Sequence, residues 1–179
     1  MKRWVCRAVL ALVILGVATW LWTIFFPSAE HVIRKRLTEL SKAVSIQGKE
    51  SPVAILANAS RVAGFFTADI EVRVDVPGSS AQVISGRDEL IAIAQRVRTM
   101  SGGIEVQFLD VNLAIAPDKK SAEANLTLRA KAAGDRDQVV QEMKLLLNKS
   151  EGSWKIQRVE TVKTLSQVKI LVPNANLKN

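Results

Sequence analysis

The sequence predicts an α+β protein, a curved antiparallel sheet wrapped around about three helices in a cone, preceded by one transmembrane helix. Three observations carry this expectation. Residues 8–26 form an unbroken run of nineteen uncharged, mostly apolar residues. Residues 29–46, 52–66 and the stretch after Ser85 place apolar side chains at the three-and-four spacing of a helix. Residues 69–76, 104–116, 121–133, 137–148 and 153–164 change to the two-residue period of strands. The chain has 179 residues, 48% of them hydrophobic, which leaves room for one domain of ordinary size plus an appendage and excludes wholesale disorder. The expected divisions are 1–28, a basic flank and transmembrane anchor; 29–165, the α+β domain; and 166–179, a carboxy-terminal tail.

The apolar run comes first. At 1.5 Å per residue it spans about 28 Å, close to the hydrocarbon thickness of a bilayer. Trp4 lies near one end and Trp20 and Trp22 near the other, where interfacial aromatics belong. The run closes on Phe25-Phe26-Pro27, too bulky for a small-x-small cleavage site, so the expected segment is a retained anchor. Lys2, Arg3 and Arg7 favour a cytoplasmic amino terminus, and long domains translocate largely regardless of charge. The domain is therefore expected in the periplasm or another extracytoplasmic space, on a single-pass membrane protein. Cys6, the only cysteine, rules out a disulfide framework and reads as a thiol at the membrane edge.

The net charge of +8 is unevenly placed. Residues 51–165 hold 15 basic and 14 acidic side chains, so the excess sits beside the apolar run and in the tail. A protein that tracks phosphates would carry a basic stripe on its domain with aromatic platforms between. The expected partner is thus the membrane and not nucleic acid.

Beyond Pro27, Ser28 caps a helix whose apolar positions Ile33, Leu37, Leu40 and Val44 step by four, three and four. Ser51-Pro52 reads as a cap and first-turn proline for a second helix over 52–66. In 69–76, Ile70, Val72, Val74 and Val76 alternate with charged residues as a half-buried strand. Gln82-Val83-Ile84 forms a very short strand, and Ser85-Gly86-Arg87-Asp88-Glu89 opens a third helix with Leu90, Ile91, Ile93, Ala94 and Val97 inward. Four long strands follow, joined by hairpin connections such as Ala116-Pro117-Asp118-Lys119. In the first of them Ile104, Val106 and Phe108 are even-numbered and Leu109, Val111, Leu113 and Ile115 odd. A bulge at 108–109 would keep all seven on one face and curve the sheet. The tail carries Val168, Ile170, Leu171 and Val172 before Pro173, as an added edge strand or a docked segment.

This order of elements resembles the nuclear transport factor 2-like superfamily, also called SnoaL-like or cystatin-like cones. Ser85-Gly86-Arg87-Asp88-Glu89-Leu90 is similar to its glycine turn into the third helix. The bulged strand is similar to its kinked central strand, and Gly152-Ser153-Trp154-Lys155-Ile156 to its final hairpin. The resemblance covers about residues 30–165. It implies a conical cavity that enzymes of the superfamily, ketosteroid isomerases and dehydratases among them, line with acids, histidines or tyrosines. Other members only bind, dimerise through the outer sheet face, or brace assemblies.

Catalytic candidates are scarce. His31 is the only histidine and falls about one turn past the apolar run; tyrosine is absent altogether. Asp69, Glu71 and Asp75 share a charged strand face, and Glu105, Gln107, Asp110 and Asn112 are expected outward. Trp154 and Ile156 set an inward parity on the last strand that Arg158 and Glu160 share, as an anion-holding or self-neutralising pair. The expected pocket residues are Phe66, Phe108, Trp154, Arg158 and Glu160, with no catalytic set, no metal and no cofactor. The first functional expectation is a membrane-anchored, non-catalytic binding or scaffolding module, recruiting a protein partner, a second copy or an apolar small ligand. The alternative is an isomerase or dehydratase-like enzyme using Arg158, Glu160 or Asp69 in the cone. A cone filled by Phe65, Phe66, Phe108 and Trp154 would favour the first. A buried, unpaired Glu160 would favour the second.

Overall fold

The computed structural model describes residues 16, 28–74, 82–134 and 138–166. The expected anchor at 8–26, Cys6 and the tail run lie outside these apart from Gly16, and among the described residues no helix is long and apolar enough to cross a membrane.

Among residues 28–166 that are described, three helices precede or interrupt six strands: α1 (Ala29–Val44), α2 (Pro52–Ala63), β1 (Phe66–Val74), β2 (Gln82–Ser85), α3 (Arg87–Met100), β3 (Ile104–Ile115), β4 (Ser121–Ala132), β5 (Gln138–Ser150) and β6 (Ser153–Ser166). The caps act as the sequence implies. The Ser28 hydroxyl accepts the His31 N–H at 3.3 Å, and Ser51 accepts the Ala54 N–H, with Pro52 at the first turn of α2. Gly86 stands at φ 88°, a conformation that costs a side-chain-bearing residue, and its N–H donates to the Ile70 carbonyl at 2.8 Å. That bond locks the entry to α3 against β1.

α2 ends earlier than its apolar pattern suggests. Gly64 closes it, and Phe65 and Phe66 pass into the sheet, so β1 begins at Phe66 and not near Asp69. Ile70 and Val72 are buried on one face as the alternation requires.

The sheet order is β2-β1-β6-β5-β4-β3. It is mixed, which corrects the expectation of a wholly antiparallel sheet: β1 and β6 run parallel, while every other pair is antiparallel. Side-chain alternation assigns faces but says nothing of the direction of a neighbour some ninety residues away. Parallel neighbours need a long crossover, and here it comprises β2, α3 and the β3–β5 meander.

The helices cover the inner face. Ile33, Leu37 and Leu40 of α1 and Val62 of α2 join Ile70, Val72, Ala122, Ala124, Leu126, Met143, Leu145, Leu147, Trp154, Ile156 and Val159 in one buried cluster. α1 runs antiparallel to β3 along the sheet's last strand. Near its carboxy end Ile46 and Ile104 exchange backbone hydrogen bonds at 2.7 and 2.9 Å, and Ser45 Oγ accepts the Val106 N–H at 3.0 Å. Near its amino end Arg34 Nη1 donates to the Val111 carbonyl at 2.9 Å. At the other margin Glu89 accepts the Ser85 N–H of β2 at 2.8 Å. Gly103 admits the close approach of this corner: a Cβ there would stand 2.9 Å from the Ala133 Cβ and 3.2 Å from the Ile46 oxygen.

The bulge of β3 is displaced from its expected place. Leu109 still pairs with Thr127, and Asn112 with Asn125, so Asp110 and Val111 together face Leu126. Asp110 takes φ 51°, the left-handed conformation that lets one extra residue enter a strand. Leu109 therefore falls on the outer face with Thr127, while Phe108, Val111, Leu113 and Ile115 pack on the core. An aspartate adopts φ > 0 more readily than a leucine, which decides the position.

Candidate functional site

The interior of the cone is apolar and occupied. Phe65, Phe66 and Trp154 are buried in the core cluster, and Phe108 packs against its edge. Of the five expected pocket residues these three, Phe66, Phe108 and Trp154, thus come together, as core.

Arg158 and Glu160 do not join them. On β6, Leu147 pairs with Ile156 and Leu146 with Arg158, so Gln157 is an extra residue. That bulge shifts the inward parity from even to odd: Trp154, Ile156 and then Val159 are buried, and Arg158 is 45% exposed. Two further irregularities, between Glu142 and Met143 and between Val140 and Gln141, leave Val162 and Leu165 exposed.

Outside the sheet the charged side chains neutralise one another. Glu71 contacts Arg158 at 3.0 Å and accepts from Arg73 Nε at 2.8 Å, and Arg158 lies 3.9 Å from Glu160. The hydrogen bond from Arg73 holds the Glu71 carboxyl below the usual carboxylate range, aided by the charges of Arg73 and Arg158. Lys144 sits 2.8 Å from Glu123 and, by its hydrogen bond, lowers that carboxyl in the same way, with Asn125 assisting. Gln107 accepts from Arg129 and donates to Glu105. The anion-holding role considered for Arg158 and Glu160 gives way to this self-compensating surface. His31 is exposed on the first turn of α1, and among the described residues no group of three histidines, cysteines or acids could hold a metal ion.

Among the described residues, the deeply buried charge is one that the sequence pattern does not reveal by itself. Arg98 of α3 is 4% exposed, and its Nη1 lies 2.8 Å from Glu50 Oε1, itself 15% exposed. Arg98 Nη2 also donates to the Ala43 carbonyl in the last turn of α1, and Asn58 of α2 donates to the same Glu50 oxygen at 2.9 Å. The cluster ties all three helices. Val97, expected inward, is 42% exposed instead. Part of the signal is present: position 98 continues the i+4 stripe of Leu90 and Ala94, and an acid precedes the cap of α2.

Two concavities follow the seam between α1 and β3. A cleft of about 810 Å³ opens where the carboxy end of α1 meets the start of β3 and the end of β4, among Lys42, Ile46, Ile104, Glu105, Val106 and Ala133. A groove of about 400 Å³ lies farther along, beside Arg34, Leu37, Thr38 and Phe108. The first falls within the size range of small-molecule sites and combines apolar walls with a few charges.

A curved six-stranded mixed sheet with three helices on one face defines a cone of the nuclear transport factor 2-like class, and comparison with solved structures shows the same fold. A protein assigned as a scytalone dehydratase from Novosphingobium aromaticivorans aligns with a TM-score of 0.55 at 16% identity, over 78% of this chain and 89% of that one. A nuclear transport factor 2-like protein of unknown function from Pseudomonas putida aligns with a TM-score of 0.59 at 14% identity, over 79% and 96%. The yeast UBP3-associated protein BRE5 aligns with a TM-score of 0.58 at 12% identity, over 79% and 100%. At such identities the fold alone is shared. No protein-family profile matches the sequence, and no curated protein matches it.

Proposed function

We propose that this chain is a membrane-anchored binding module, held by residues 8–26 and facing the cell envelope, that uses its cone as a scaffold and not as a reaction vessel. The observation that carries the reading is the filled interior: Phe65, Phe66 and Trp154 are buried where an enzyme of this fold would need space, and Arg158 and Glu160 point outward. The neighbours of this fold include both an assigned dehydratase and a protein named for its association with another, so the fold supports either use. The placement of side chains favours the second.

The recruiting surface in this reading is the cleft at the carboxy end of α1. It lies at the end of α1 remote from the anchor, where a ligand or partner has free approach. Its walls, Ile46, Ile104, Val106 and Ala133, suit an apolar chain, and Lys42, Glu105 and Lys131 suit a polar terminus at its mouth.

Native mass spectrometry of the full chain released from detergent tests this. Wild type and Glu160→Gln carry the same bound ligand, and Ala133→Trp, which fills the cleft, loses it. Retention by Ala133→Trp, or loss in Glu160→Gln alone, would overturn the assignment of the cleft. A wild-type chain that carries neither ligand nor partner would count against binding altogether.

A further inference from the structure

We infer that the hairpin end of the sheet is a docking surface for an anionic lipid bilayer, with Lys119, Lys120 and Lys149 lying against the headgroups. The inference rests on the reading of residues 8–26 as a retained anchor and adds an orientation and a lipid preference to it.

Topology brings the surface together. Arg34, in the second turn of α1, bonds Val111, whereas Ser45 and Ile46 meet Val106 and Ile104. The amino end of α1 therefore points toward the β3–β4 hairpin at 116–120. The β5–β6 hairpin lies beside it, since the Lys149 N–H donates to the Lys120 carbonyl at 2.7 Å and Ser121 pairs with Asn148. Both hairpin tips and the start of α1 thus share one end of the molecule. Two residues, Pro27 and Ser28, separate Phe26 from Ala29, a reach of about 11 Å at most. An anchor ending at Phe26 holds this end, and no other, beside the membrane surface.

The charge at that end is of the matching sign. Glu30 is paired with Arg34 and Glu151 with Lys155, and Asp118 accepts the Lys120 backbone N–H. Lys119, Lys120 and Lys149 are exposed and make no ion pair among the described residues, and Lys35 is exposed on the amino-terminal half of α1. At the opposite end Lys131 stands directly across from Glu105, and the exposed Lys42 and Lys49 lie at and beyond the end of α1 remote from the anchor. Basic residues within a Debye length of anionic lipid are attracted to it, and the attraction fades with salt.

The test uses the full chain in lipid nanodiscs of phosphatidylcholine with or without phosphatidylglycerol. Acetylation of each lysine is followed by mass spectrometry, with Lys131 and Lys163 as controls. On anionic discs Lys119, Lys120 and Lys149 should label about fivefold more slowly than on neutral discs, a difference that molar salt removes. Equal labelling on the two lipids overturns the docking surface. In a triple Lys119→Gln, Lys120→Gln, Lys149→Gln chain, Lys35 should lose its own protection; Lys35 remaining protected would show that the hairpins do not set the contact. Flotation of the wild-type chain with phosphatidylcholine vesicles after alkaline carbonate reads the anchor separately. A chain that fails to float overturns the anchor, and one that floats yet labels equally overturns the docking alone.

Discussion

Replacing Arg98 with methionine should damage the stability of this protein severely. The side chain is 4% exposed, and removing it strips Glu50 Oε1 of an ionic partner 2.8 Å away and the Ala43 carbonyl of a donor. Breaking a buried pair from one side costs about 3–5 kcal/mol. Glu50 retains Asn58 as a donor and is 15% exposed, so water partly compensates; about 2–4 kcal/mol is the expected loss. For a chain of this size that lowers the unfolding midpoint by roughly 5–15 °C. Thermal melts followed by circular dichroism, on the full chain in detergent, supply the number. A thermodynamic cycle with Glu50→Gln and the double variant isolates the pair. Removing both charges should recover much of the loss, because the uncompensated carboxylate is then gone. A methionine variant as stable as wild type, or strictly additive single and double changes, would refute the view that this cluster holds the helices together.

Other outcomes follow from neighbouring features. Trp154→Ala, in the middle of the core, should cost about 3–5 kcal/mol in chemical denaturation. Asp110→Val places a β-branched residue at φ 51° and should cost about 1–2 kcal/mol, whereas Asp110→Gly should be tolerated. Glu71 and Glu123 have carboxyls lowered in the folded chain, so their contribution is present above the ordinary carboxylate pKa and disappears as pH falls through the lowered folded values. Urea midpoints measured from pH 7 down to pH 3 should therefore decline less steeply in a Glu71→Gln, Glu123→Gln chain than in wild type.

Much of the architecture was legible because it depends on local pattern. The caps at Ser28 and Ser51 and the stripe Ile33–Leu37–Leu40 are written in adjacent residues, and the structure shows each of them. Outward placement of Glu105, Asp110 and Asn112 followed from the same logic. The misreadings share another cause. Bulges cost one residue each and invert every later side chain, so the Gln157 insertion carried Arg158 and Glu160 from the expected interior to the exterior. The bulge in β3 was foreseen two residues early, because apolar parity locates a frame shift only between two anchors, while backbone conformation at Asp110 fixes it. The i+4 stripe of Leu90 and Ala94 points Arg98 inward, but its pairing with Glu50, 48 positions earlier, is not a local feature. Parallel pairing of β1 with β6 likewise depends on contacts far apart in sequence.

The covering of β3 by α1 has a consequence for the life of the chain before it is complete. An outermost strand with bare amides is a template on which a second molecule can stack. Here the seal made by Ile46, Ser45 and Arg34 belongs to a segment synthesised some sixty residues before the strand it protects. The covering segment has already been made when the vulnerable margin leaves the ribosome, so it can dock on β3 as soon as that strand emerges.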